Sequence, residues 1–247
     1  MRIYFSILFG FLSLVLLPLQ TAAEPLTVSY FERPPYYFTA KDGSAKGFLV
    51  TRTQEILRSA NIEAQFLSLS PNQIIYVLKH ANTPNCSIGW FKKSERELYA
   101  QFTQPIYQNR PLVLLTTRDQ LLTFKQYEGL AAIFSQRQLV MVRMSSFSYG
   151  SFVDQLLEHH NPVSYFGTKS QADVVRAIAQ GKANYMLAAP EEVDVMMQSA
   201  GLAADDFATM TLSEIPAGNL RYLMCGKQVS AETMQRLNIA IERLGIK

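Results

Sequence analysis

Apolar residues run almost unbroken from Phe5 to Leu19 and thereafter fall into short blocks of alternating period. Leu26 to Phe31 (LTVSYF) predicts a buried strand, closed by the turn-forming Arg33-Pro34-Pro35, and Asp42-Gly43 marks a further turn. Thr51 to Ala60 has helical spacing, with Thr51 and Thr53 as candidate caps and Asn61 as its stop. Ala64 to Leu69 predicts a second strand, Pro71 to Lys79 a helix carrying Ile74, Ile75 and Leu78, and Cys86 to Phe91 a third strand. This β-α-β-α-β order implies a parallel sheet covered by helices.

Pro111 to Thr117 (PLVLLTT) predicts another strand, and the alternation then repeats. Strand Leu139 to Met144 is followed by helix Ser148 to Glu158, strand Val163 to Phe166, helix Ser170 to Gln180 and strand Asn184 to Ala188. Gly181 ends its helix, the usual place for glycine at a helix C-terminus. Leu220 to Cys225 predicts a last strand, and Ala231 to Leu244 an amphipathic helix with Met234, Leu237, Ile241 and Leu244 on one face. The only large-scale repetition is that of two α/β halves.

Arg2 before the first apolar run and Thr21-Ala22-Ala23 after it have the make-up of a secretory leader, residues 1–23, cleaved near Ala23 and Glu24. The alternative is a retained membrane anchor, although the run falls short of the ~20 residues a bilayer span takes. No cysteine follows it, which disfavours a lipoprotein. Roughly 224 residues then remain, enough for one large domain or two lobes of ~100. An apolar content of 48% and a charged content of 17% are those of an ordinary globular chain. The net charge of +3 comes from scattered basic residues, not the concentrated positive face that nucleic acid needs. Cys86 and Cys225 are either a disulfide formed in an oxidising compartment or two buried thiols.

Four strings in order resemble the polar-amino-acid type of bacterial extracellular solute-binding protein, over nearly the whole chain after the leader. Pro34-Pro35-Tyr36-Tyr37-Phe38 with Asp42-Gly43 and Gly47-Phe48 resembles that family's opening PPF-F, DG and GF pattern. Ser94-Glu95-Arg96-Glu97 with Phe102-Thr103-Gln104-Pro105-Ile106-Tyr107 resembles its T-ER and F-S-PY strings. Phe124 to Leu130 with Leu139 to Met144 resembles DLKGK-VGV, and Ala177 to Asn184 (AIAQGKAN) resembles L-L-GRVD. The resemblance implies a two-lobed periplasmic-binding-protein type 2 fold, each lobe a mainly parallel sheet flanked by helices, with two hinge crossings near Pro111–Thr117 and Glu214–Leu220. Lobe 1 would be 24–112 and 217–247, and lobe 2 the inserted 113–216. Ligand would lie between the lobes, at the carboxyl ends of the strands.

The same resemblance implies site residues. Arg96 falls where the family's arginine makes a two-pronged bond to a ligand carboxylate, chemistry that suits a planar guanidinium; the bland alternative is a surface arginine paired with Glu95 or Glu97. Gly89, Trp90 and Phe91 stand where the family offers backbone and a hydroxyl, which Phe91 replaces. Trp90 is either packing or a stacking surface. Arg143 stands at a frequent basic contact. Ser145, Ser146 and Phe147 lead into a helix start that is either an anion site or an ordinary capped loop. The departures matter as much. The places that hold an ammonium-binding carboxylate carry Ala189 and Tyr30, and the stacking aromatic is replaced by Arg33, with Tyr36 and Tyr37 close by. Glu32, Glu191 and Glu192 are read first as solvated loop charges, with replacement of the missing anion as the alternative. The expected ligand is therefore a small carboxylate-bearing or otherwise anionic molecule rather than a plain α-amino acid.

Catalytic signatures are not found. His80, His159 and His160 stand at helix ends, there is no metal-ligand spacing, and neither a G-x-S-x-G elbow nor a phosphate loop occurs. No cofactor or metal is expected. The expected role is that of a monomeric periplasmic binder serving an ABC permease. The alternatives are an accessory sensor for a membrane receptor or a cyclohexadienyl-dehydratase-like enzyme using Glu32 or Glu191 as general acid.

Overall fold

A computed structural model describes residues 25–143, 149–166 and 170–246. The expected leader and Ser145, Ser146 and Phe147 lie outside the described residues. Strands β1 (Leu26–Tyr30), β2 (Phe38–Thr39) and β3 (Ala45–Lys46) lead into α1 (Phe48–Ser59), and β4 (Ala64–Ser68), α2 (Pro71–His80), β5 (Asn85–Trp90), α3 (Ser94–Glu97) and β6 (Ala100–Gln108) follow. A second group holds β7 (Val113–Thr117), α4 (Leu121–Lys125), α5 (Gly129–Phe134), β8 (Met141–Val142), α6 (Ser151–His160) and β9 (Ser164–Tyr165). It continues with α7 (Gln171–Ala179), β10 (Tyr185–Ala188), α8 (Val193–Ala200) and β11 (Phe207–Thr211). The chain then returns to the first group as β12 (Leu220–Gly226) and α9 (Ala231–Arg243).

Two five-stranded sheets result, in the orders β4-β1-β5-β12-β6 and β11-β7-β10-β8-β9. The α/β units give the parallel pairs: β1 with β4 and β5, and β8 with β9 and β10. The strands that follow a passage between sheets run the other way, β12 antiparallel to β5 and β6 and β7 antiparallel to β10 and β11. Both sheets are therefore mixed. Segments 109–112 and 212–219 carry the chain from one sheet to the other and back.

Burial accounts for the elements. Val28 and Ile88 of the first sheet pack with Leu49 and Ile56 of α1 and Leu237 and Ile241 of α9, all at most 1% exposed. The second sheet buries Leu114 and Met141 against Phe124 and Ile133 on one face, and Leu115 and Val142 against Ile178 and Met197 on the other. Cys86 and Cys225, directly opposite in β5 and β12, are joined by a disulfide. Helix α1 begins earlier than its polar spacing suggests, because Gly47, with φ of 117°, lets the backbone of Tyr36 approach to where a Cβ would lie 2.4 Å from its carbonyl oxygen. Strand β6 is interrupted in sequence by Pro105 and is tolerated because it lies at the sheet edge. Among the described residues no helix is long and apolar enough to cross a membrane.

Candidate functional site

A cavity of about 390 Å³ opens between the two sheets. Its walls come from the carboxyl ends of β1, β5, β8 and β10, from the start of α6 and from both connecting segments. Parallel strands leave their last carbonyls and the following loops at such an edge, where ligand sites of open α/β sheets form. The volume lies within the range of small-molecule sites.

Arg96 reaches this cavity from α3, half-buried. Its Nη1 donates to the Phe91 carbonyl at 2.7 Å, and its guanidinium lies 4.8 Å from the centre of the Trp90 ring. Trp90 is itself fixed, its Nε1 donating to Ser87 Oγ at 2.8 Å. Glu97 pairs with Lys92 at 3.0 Å rather than with Arg96, which has no ion pair among the described residues. An oriented guanidinium with unused N–H groups is suited to accept a carboxylate.

The other charges are distributed in ways the sequence did not foretell. Glu192 is not a solvated loop charge: it is 3% exposed and its Oε1 accepts from Arg33 Nε at 2.7 Å. Arg33 is thereby held by a carboxylate from the other sheet. Glu191 likewise reaches across, accepting from the Tyr107 hydroxyl and, at 3.2 Å, from the Arg110 backbone N–H. Glu32 turns away from the cavity, bonded to the hydroxyls of Thr39 and Ser68 at 2.6 Å each and to the Thr39 N–H at 2.9 Å. Slight burial opposes its ionisation, but these donors outweigh it and hold its carboxyl below the usual range.

Arg221, on β12, was not singled out by the sequence. It lines the cavity yet is only 2% exposed, donating from Nε to Asn109 Oδ1 at 2.7 Å and from Nη1 to the Gly89 carbonyl at 2.8 Å. The rings of Tyr36 and Phe91 sandwich it, their centres 4.5 and 4.7 Å away. A single arginine inside a strand reads locally as an outward-facing residue, so only a charge out of place in an apolar run hinted at it.

Of the residues expected at the site, the structure brings Arg33, Phe91 and Arg96 to the cavity wall. Tyr30, Tyr36, Gly89 and Trp90 stand behind it, where the two tyrosines are buried in the core of the first sheet. Gly89 has φ of 79°, and a Cβ there would lie 2.7 Å from the Tyr37 ring. Arg143 is not on the wall: it packs over Phe166 at 5.3 Å, near enough to Tyr185 for its charge to oppose the rise that burial gives that phenol. Gly150 and Ser151 at the start of α6 and Ala189 after β10 complete the second side. No group of three potential metal ligands occurs among the described residues.

The profile of the bacterial extracellular solute-binding proteins, family 3, matches residues 26–244. The open substrate binding domain 2 of Lactococcus lactis GlnP is similar with a TM-score of 0.67 at 12% identity, covering 90% of this chain and 89% of that one. An ancestral arginine-binding protein bound to arginine is similar at 0.62 and 11%, covering 91% and 94%. A histidine kinase sensor domain with similarity to periplasmic binding proteins is similar at 0.61 and 20%, covering 90% and 92%. At such identities the likeness is one of fold. No curated protein sequence matches the chain.

Proposed function

This chain belongs to the bacterial extracellular solute-binding proteins, family 3, and from that membership we propose that it captures a small carboxylate-bearing solute in the periplasm for an ABC importer. The observation that carries this reading is Arg96, oriented at the wall of a cavity between two sheets and free of any carboxylate among the described residues. Two lobes, 24–112 with 217–247 and 113–216, would close on the solute by rotation about the connecting segments. Arg96 takes the carboxylate with its remaining N–H groups, and the α6 N-terminus at Gly150 and Ser151 faces the same space. Glu192 is the lone carboxylate among the described wall residues, and Arg33 already holds it, so nothing there is left to receive an ammonium group. That favours a plain carboxylate over an α-amino acid.

A thermal-shift screen over amino acids, dicarboxylates and aromatic acids tests the proposal. Ligand at 100 times its Kd stabilises the folded state by about 2.7 kcal/mol. The hit is expected to be a carboxylate whose shift vanishes in Arg96→Ala; a shift that survives that substitution overturns the assignment. The scaffold also forms a histidine kinase sensor domain, so presentation to a receptor is the second reading. Copurification with a permease supports import, and with a receptor, sensing.

A further inference from the structure

Among the described residues only two charged side chains are deeply buried, Glu192 and Arg221. Glu192 has Arg33 as its counter-ion. Arg221 has none: its partners are a neutral amide oxygen, a backbone carbonyl and two ring faces. Its Nη2 is buried beside the Tyr37 hydroxyl, a neutral group, and meets no carboxylate. Burying a cation without an anion is costly, since dipoles replace only part of its hydration. The rest of the wall compounds the imbalance. Lys93, Arg96, Arg110 and Arg221 all line the cavity, whereas the one carboxylate among the described wall residues, Glu192, is held by Arg33. Glu191, off the wall, accepts from the Tyr107 hydroxyl and the Arg110 N–H and makes no ion pair with any of the four.

Phe91 ties the two guanidiniums together. Arg96 binds its carbonyl, and Arg221 lies against its ring. We propose that Arg221 is a second anion-recognising residue of the cavity, and that the solute is a short dianion with one acidic group for Arg96 and the other for Arg221. This rests on the cavity being the solute site.

The test uses the whole folded protein and calorimetric titration with succinate, glutarate and adipate, each against the monocarboxylate of equal chain length: butyrate, valerate and hexanoate. At one length or more the dicarboxylate should bind about tenfold tighter or better, as a charge-assisted contact implies. The readout is the dicarboxylate-to-monocarboxylate affinity ratio. It should fall toward unity in Arg221→Gln and also in Asn109→Asp, which supplies Arg221 with a built-in carboxylate and changes shape little. A purely structural Arg221 would weaken both ligands together and leave the ratio intact, which overturns the inference. So does a wild-type ratio near unity, and in that case the carboxylate site itself stands. If no carboxylate binds the wild type at all, the functional reading fails together with this one.

Discussion

Nε of Arg33 lies 2.7 Å from Oε1 of Glu192, joining the loop after β1 in one sheet to the turn after β10 in the other. The pair is asymmetric, because the arginine side chain is 25% exposed and the glutamate 4%. Removing Arg33 strands a buried carboxylate, whereas removing Glu192 leaves a cation that can turn to water. Arg33→Met should therefore destabilise by about 2–4 kcal/mol and Glu192→Gln by about 1 kcal/mol. Urea unfolding of both variants checks this. Equal losses would show that the pair is solvated.

Gly89 and Gly43 separate backbone strain from steric conflict. Both have positive φ, 79° and 80°, but a Cβ on Gly43 meets nothing within 4 Å while one on Gly89 lies 2.7 Å from Tyr37 Cε1. Gly43→Ala should cost about 1 kcal/mol from conformation alone. Gly89→Ala should cost about 2–4 kcal/mol, because the fully buried Tyr37 cannot swing away. Melting curves of the two variants decide, and similar losses would mean that the Tyr37 ring yields.

The Cys86–Cys225 bond closes a loop of 139 residues and links β5 to the strand that returns from the other sheet. In the chain-entropy account a loop of that length is worth about 5 kcal/mol. The Cys86→Ala, Cys225→Ala double variant should lose a large part of this, read as a lower urea midpoint. A loss below about 1 kcal/mol would mean that packing of β12 between β5 and β6 suffices without the covalent link.

Local pattern made the α/β order legible. Runs such as Leu26–Tyr30 and Asn85–Trp90 are buried along most or all of their length and announce themselves as apolar blocks. Strand β6 is masked in the sequence because Pro105 breaks its alternation, and α8 because its eight residues are too few to set up a clear helical period directly after the acidic pair Glu191-Glu192. Arg96 was legible only through the family resemblance, which a short stretch from Gly89 to Arg96 carries, and its contacts with Trp90 and Phe91 lie within that stretch. Glu192 and Arg221 were not, since the partners that bury them lie 159, 112 and 132 residues away. No local periodicity carries that information. A charge's counter-ion across two sheets is a property of the assembled fold.

Four tyrosines make alkaline pH the vulnerable side of this fold. Burial pushes the phenols of Tyr36, Tyr37, Tyr107 and Tyr185 above the ordinary 10.0, with Glu192 adding to the effect at Tyr36 and the hydrogen bond to Glu191 at Tyr107. A raised value means that the folded chain holds these protons more tightly than the unfolded chain. Their stabilising contribution is therefore complete below about pH 10, where both states are protonated, and declines above it as the unfolded chain alone ionises. Unfolding free energies should show no phenolic loss between about pH 7 and 9 and a steep fall beyond about pH 10. Phenolate absorbance followed on the same samples should rise in two stages, the exposed rings first and these four only as the chain unfolds. If all 12 tyrosines of the sequence ionised together near their ordinary value while the fold persisted, the hydroxyls around Arg221 and Glu192 would have to be in contact with water, and the desolvated charges assigned there would be lost with them.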